Sequence, residues 1–188
     1  MAVFPDVIPT YGSEITPVFK TLISPFDTDN EQRIAKRQFA IYDVKLKFPS
    51  LAQADARLVW KFYCSQKGSF GGFYWFAPES DEYEGLYVCT ADSAATTWDL
   101  PGKSTSSRVL YENGLTKSSG FSYLTGGGQG GADRIQFTGA PAAGNVYSID
   151  FAGILRVKCR FKQDRLPKEY FDYLLYQMGL ELKGLPGA

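Results

Sequence analysis

Apolar and polar positions alternate most regularly near the C-terminal end of the chain. Leu155, Val157, Cys159 and Phe161 fall on one face of a strand; Arg156, Lys158, Arg160 and Lys162 fall on the other. The pattern predicts one buried face and a row of cations on the opposite one. Phe39 to Phe48 alternates too, with Tyr42, Val44, Leu46 and Phe48 on one side and Asp43, Lys45 and Lys47 on the other. Phe39 and Ile41 have the wrong parity, which predicts a bulge near Ile41 or a strand crossing two environments. Pro49 ends this strand. Ser50, with Gln53 at capping-box spacing, then opens a helix from Leu51 to about Ser65. Leu51, Ala54, Leu58 and Phe62 recur at helical spacing, Val59 and Tyr63 widen the stripe, and Gly68 supplies the stop. A glycine turn leads into an aromatic strand, Gly71-Gly72-Phe73-Tyr74-Trp75-Phe76.

The remainder is mostly β in pattern. Residues 1 to 14, with Pro5, Pro9 and Gly12, read as an extended arm. Ile15 to Ile23 reads as an edge strand interrupted by Pro17, and Pro25 to Asn30 as a turn. Leu86 to Thr90 is a strand. Val109 to Glu112 and Leu115 to Lys117 flank Asn113-Gly114, a strong hairpin signal. Ile135 to Phe137 and Val146 to Phe151 flank a turn at Gly139-Ala140-Pro141. Pro167 opens a short C-terminal helix with Tyr170, Phe171, Leu174, Leu175 and Met178 on its apolar side and Gly179 at its end. Leu180, Leu182 and Leu185 suggest a last edge strand. The expected fold class is mainly β with one long helix (α+β), a single domain over residues 1–188 in which about 90–143 forms an insertion or long hairpin region.

Composition narrows the chemistry. Among 188 residues there is no histidine, which removes the commonest general base, zinc ligand and activator of Ser or Cys. Twenty Lys and Arg balance twenty Asp and Glu, so no net field draws nucleic acid or an anionic membrane. Cys64, Cys89 and Cys159 are scattered and odd in number, unlike a disulfide framework or zinc site, and read as reduced core residues. The N-terminus lacks the pattern of a signal peptide, and no apolar run reaches the length of a membrane span. The expectation is no enzyme and no cofactor or metal.

Four local features carry competing readings. Gly126 to Gly131 is glycine-rich but lacks the Gly-Lys-Ser/Thr ending of a phosphate loop; it reads as a flexible loop tip, or as a loop that orders against a partner. Glu79, Asp81, Glu82 and Glu84 form an acidic cluster. Its readings are a solvated loop or ion-pairing patch, a calcium site, or the carboxylates of a glycosidase. Phe73, Tyr74, Trp75 and Phe76 suit a strand covered on both sides, or covered on one side by a neighbouring subunit, with a sugar-stacking surface as the rival. The row Arg156, Lys158, Arg160 and Lys162, extended by Lys45 and Lys47 if the strands are neighbours, reads as an exposed sheet face. Alternatively it is one side of a contact with acidic groups such as Glu79 to Glu84 of another subunit.

The order of motifs resembles the distal tail proteins of long, flexible-tailed bacteriophages and gene transfer agents. The resemblance rests on Phe4-Pro5-Asp6, Glu31-Gln32-Arg33, Phe62 followed by Gly68 and Gly72-Phe73, the Thr138-Gly139 to Ala143-Gly144 turn, and Phe161-Lys162-Gln163-Asp164-Arg165-Leu166. It implies a tail-tube-like β-barrel or β-sandwich with a packed helix, and a homo-hexameric ring in the virion tail, assembled in the host cytoplasm. Such a ring would join the tail tube protein to the tail-tip hub protein and surround the tape measure protein, the genome passing through its bore without specific recognition. Contact residues expected on this basis are Phe4, Pro5, Asp6 and Tyr11 in the arm, Phe73 to Phe76, the acidic cluster, the glycine-rich loop and the cation row. The rival classes are another tail ring (tube or terminator subunit), a carbohydrate-binding module, and a hydrolase using the acidic cluster.

Overall fold

The computed structural model describes residues 1–10, 12–25 and 31–187. In chain order the first strands are β1 (Ala2–Val3), β2 (Glu14–Val18), β3 (Thr21–Pro25), β4 (Glu31–Ala35) and β5 (Ile41–Ala52). Helix α1 (Gln53–Ser65) follows, then β6 (Gly72–Thr90), β7 (Thr97–Asp99), β8 (Gly102–Glu112) and β9 (Leu115–Lys117). After β10 (Phe121–Leu124) and a 3-10 turn (Gln129–Gly131) come β11 (Arg134–Phe137), β12 (Val146–Phe161), β13 (Glu169–Asp172) and β14 (Leu175–Gly184). The protein is mainly β with one helix of any length among the described residues.

The principal sheet is nine-stranded and runs β1-β6-β12-β14-β5-β2, with β8 on β12, β9 on β8 and β13 on β14. Only β1 joins parallel, against β6. A second sheet is ordered β10-β11-β7, and β3 pairs with β4 alone. Among the described residues no sheet closes into a barrel, which corrects the barrel half of the expected architecture. Closure needs the outermost strands to hydrogen-bond to each other; here β1 and β2 end opposite sides of the sheet.

β12 is the spine. It pairs with β6 from Val146 to Arg160 on one side, and with β8 and then β14 on the other. Leu155, Val157, Cys159 and Phe161 are buried as the alternation predicts. Phe161 stacks within an aromatic cluster, its ring centroid 4.7 Å from that of Phe73 and 4.8 Å from that of Tyr63. Phe4 and Phe62 complete the cluster around Phe73. The stretch 90–143 supplies β7 to β11, and its Leu100, Leu110, Ile135 and Phe137 enter the same apolar cluster as Phe73 and Phe161. Its Asn113-Gly114 pair turns the β8–β9 hairpin with φ of 52° and 83°, the positive values a tight primed turn requires.

Several expectations are corrected. β5 runs through Pro49 and Ser50 to Ala52, because a register shift opposite Gln177 absorbs a proline that cannot donate to the ladder. Helix α1 therefore starts later, after Ala52, with no side-chain cap. Its core contacts are Ala56 and Val59, with Phe62 and Tyr63 packed beside them, while Ala54 and Leu58 face outward. The segment after Pro167 is no helix: β13 turns into β14, whose Tyr176, Met178, Leu180 and Leu182 alternate into the core. β14 lies between β12 and β5, so it is not an edge strand either. Ile15 to Ile23 is split between β2 and β3, and β4 was not anticipated. The expected Pro25–Asn30 turn falls mostly outside the described residues. β11 and β12 do not pair with each other across Gly139–Pro141. Cys89 and Cys159 are buried, but Cys64 is exposed on α1.

Candidate assembly surfaces

The cation row does not exist as a row. Arg156 is only 4% exposed, with Nη1 3.4 Å from Asp99 Oδ2 and its guanidinium 4.4 Å above the Tyr74 ring. Burial pulls its pKa down against the opposing pull of Tyr74 and Asp99, and its Nη2 is buried without a hydrogen-bond partner. Lys162 stands just past β12 and binds Glu181 at 2.6 Å. Arg160 donates to the Phe161 carbonyl, and Lys158 is half-buried. Lys45 and Lys47 do not extend the series, since β14 separates β5 from β12; Lys45 instead meets Glu14 at 3.2 Å. For Arg156 the physical reason is Asp99 from β7, a long-range partner that sequence parity does not register.

Neither is the glycine-rich loop a free tip. The Gly126 amide donates to Asp133 Oδ1 at 2.8 Å, and the Gln129 amide to Asp99 Oδ2 at 2.9 Å. Gly130 adopts φ of +71°, and a Cβ there would lie 2.7 Å from Val3 Cγ2, so the loop is seated on the body. Donors that a phosphate would need are taken by the chain's own carboxylates. Asp133 is fully buried and also accepts from the Thr105 amide and hydroxyl and from Arg108 at 2.9 Å. Burial pushes its carboxyl up, but the bonds from Thr105 and Gly126, with Arg108 beside it, outweigh that and hold it below the usual carboxylate range. Asp99 behaves alike: burial opposes, yet Gln129, Arg134 and Arg156 prevail. Both residues escaped the sequence reading; their one signal is that each is an isolated acid in a charge-poor stretch.

The acidic cluster is strand, not loop. Glu79, Asp81, Glu82 and Glu84 all lie within β6 and are exposed. None belongs to an ion pair among the described residues. Beyond Trp75, β6 has no described strand on the side away from β12. Phe73, Tyr74 and Trp75 are buried and Phe76 is half-buried, so this run offers neither a docking face nor a sugar platform. The arm is partly docked on its own body: Phe4 is in the core, its amide donating to the Tyr74 carbonyl at 2.8 Å, and Val7 is buried as well. Pro5 is half-buried and Asp6 exposed. Tyr11 lies outside the described residues.

The surface that sequence reading missed is the β3–β4 hairpin. Leu22 stands opposite Ile34 on one face and Ile23 opposite Arg33 on the other. Leu22 is 49% and Ile23 52% exposed, and the neighbouring Phe19 is 62% exposed. No described strand outside β3 and β4 pairs with either of them. A smaller exposed group, Tyr170, Tyr173 and Leu174, caps the β13–β14 turn.

Among the described residues no group of three or more His, Cys, Asp or Glu side chains is placed to hold a metal ion. No described helix is long and apolar enough to cross a membrane. Neither a scan against protein-family models nor a search of curated proteins finds a match.

Proposed function

We propose that this chain is a structural ring subunit of a phage tail, acting at the distal end of the tail as a homo-hexamer that joins tail tube to tail-tip hub and encloses the tape measure protein. It works by docking and transforms no molecule. The observation that carries the reading is the β3–β4 hairpin. A two-stranded ribbon standing alone is marginal in water, and apolar side chains grouped on an exposed surface mark a contact site. Leu22 and Ile34 share one exposed face, with Ile23 on the other, and each can gain burial against a neighbouring subunit. The motif resemblance at Phe4-Pro5-Asp6, Glu31-Gln32-Arg33 and Phe161 to Leu166 supplies the tail context.

The test is assembly. Purified protein forms annular particles visible by negative-stain electron microscopy and a multimer by light scattering. The triple variant Leu22→Ser, Ile23→Ser, Ile34→Ser stays a folded monomer with an unchanged melt. A wild-type protein that remains monomeric at high concentration, or a triple variant that assembles normally, removes the reading.

A further inference from the structure

β12 changes partners along one side, pairing with β8 as far as Leu155 and with β14 from Cys159 onward. At this fork lies a pocket of about 400 Å³, within the size range of ligand sites. Phe39, Tyr42, Tyr87 and Val157 contribute apolar wall; Arg37, Arg156 and Lys158 contribute charge, and the lining contains no carboxylate. Arg37 and Lys158 take part in none of the described ion pairs. An apolar cleft with unbalanced positive charge selects a carboxylate carried on an extended segment.

The chain itself carries such a segment. Glu79, Asp81, Glu82 and Glu84 sit unpaired along β6, whose outer side bonds to no described strand beyond Trp75. This stretch can enter a cleft without breaking any pairing of its own sheet. Leu86 and Tyr87, just past Glu84 on β6, line the cleft themselves, but Asp81 is far from the Lys158 of its own copy. Lys158 is in register with Tyr74 and Gly153 with Asp81, which separates the two charges by roughly 20 Å along the strand. Overall charge is balanced, twenty cations against twenty anions, so the two patches complement each other within one kind of chain. We infer that the Arg37–Lys158 pocket receives the acidic β6 segment of a second copy, head to tail. Repetition of such a heterologous contact generates a ring when the rotation closes. The inference rests on the ring reading and names the surfaces that build it.

Two charge-reversed proteins test it. One carries Arg37→Glu with Lys158→Glu; the other carries Asp81→Lys with Glu82→Lys, both fully on the surface. Each alone requires about tenfold or more higher concentration to assemble than wild type, as close like charges meet. Mixed together they assemble again, because an alternating ring restores attraction at every junction. A zero-length carboxyl–amine cross-linker applied to wild type joins Lys158 to Glu79, Asp81 or Glu82 between isotope-labelled and unlabelled copies. If Arg37→Glu with Lys158→Glu fails to fold, the surface pair and the cross-link still decide. Rings that survive reversal of Asp81 and Glu82, or that yield no such cross-link, overturn this inference and leave the ring reading standing. A wild-type protein that never assembles overturns both.

Discussion

Strands β6 and β12 run side by side from one end of the principal sheet to the other, and the face of β12 carrying Leu155, Val157, Cys159 and Phe161 is buried. β3 and β4, five residues each, pair only with one another and leave Leu22, Ile23 and Ile34 in water. Both regions carry large apolar side chains on strands. The difference is where their apolar area is spent: one builds the monomer and the other is held out from it. The contrast teaches that alternation alone does not say where an apolar residue ends up: on the ring reading proposed above, Leu22, Ile23 and Ile34 are buried only in the assembly.

The comparison sharpens most in the core. Phe73→Ala removes the ring at the centre of the aromatic cluster and lowers stability by about 3–5 kcal/mol; a chemical-denaturation loss below 1 kcal/mol would break the assignment of Phe73 to the monomer core. Asp133→Ala comes next. It strands the amides and hydroxyl around Thr105 and Gly126 and the Arg108 guanidinium, at a cost of about 3 kcal/mol. The same denaturation curves measure it, and proteolysis should open the glycine-rich loop first.

Acid acts on the same carboxylates more gradually. The carboxyls of Asp99 and Asp133 are depressed in the folded protein, because their hydrogen bonds and arginine neighbours outweigh burial. A depressed acid stabilises the fold above its unfolded-state pKa, about 4, and that stability drains away as pH falls through the lower folded value. Melting temperature should thus be insensitive to these groups above about pH 5 and drop below about pH 4. Asp133→Asn should flatten the drop, and an unchanged acid slope would count against the role given to Asp133. The smallest effect belongs to the hairpin: Leu22→Ser with Ile34→Ser shifts monomer stability by about 0.5 kcal/mol or less. A loss of 2 kcal/mol or more there would erase the distinction between the two regions.

Much of the body was legible. The alternation of β12, the Asn113-Gly114 turn and the existence of α1 follow from local patterns that the tertiary structure reinforces. What was not legible depends on partners far along the chain. Tyr170, Leu174, Leu175 and Met178 fit a helical stripe as well as a hairpin, and only pairing with β5 and β12 decides. Arg156 alternates like Lys158 and Arg160 but is buried and bonded to Asp99, fifty-seven residues away. For the candidate surfaces, the acidic residues were found but placed on a loop, and Leu22, Ile23 and Ile34 gave no signal separating them from core.

The open side of β6 has a further consequence for how free copies behave. Bare strand borders ordinarily zip onto their own kind. Here two borders brought together would set Glu79, Asp81, Glu82 and Glu84 of one molecule against the same acids of another. The mutual repulsion disfavours that edge-to-edge route.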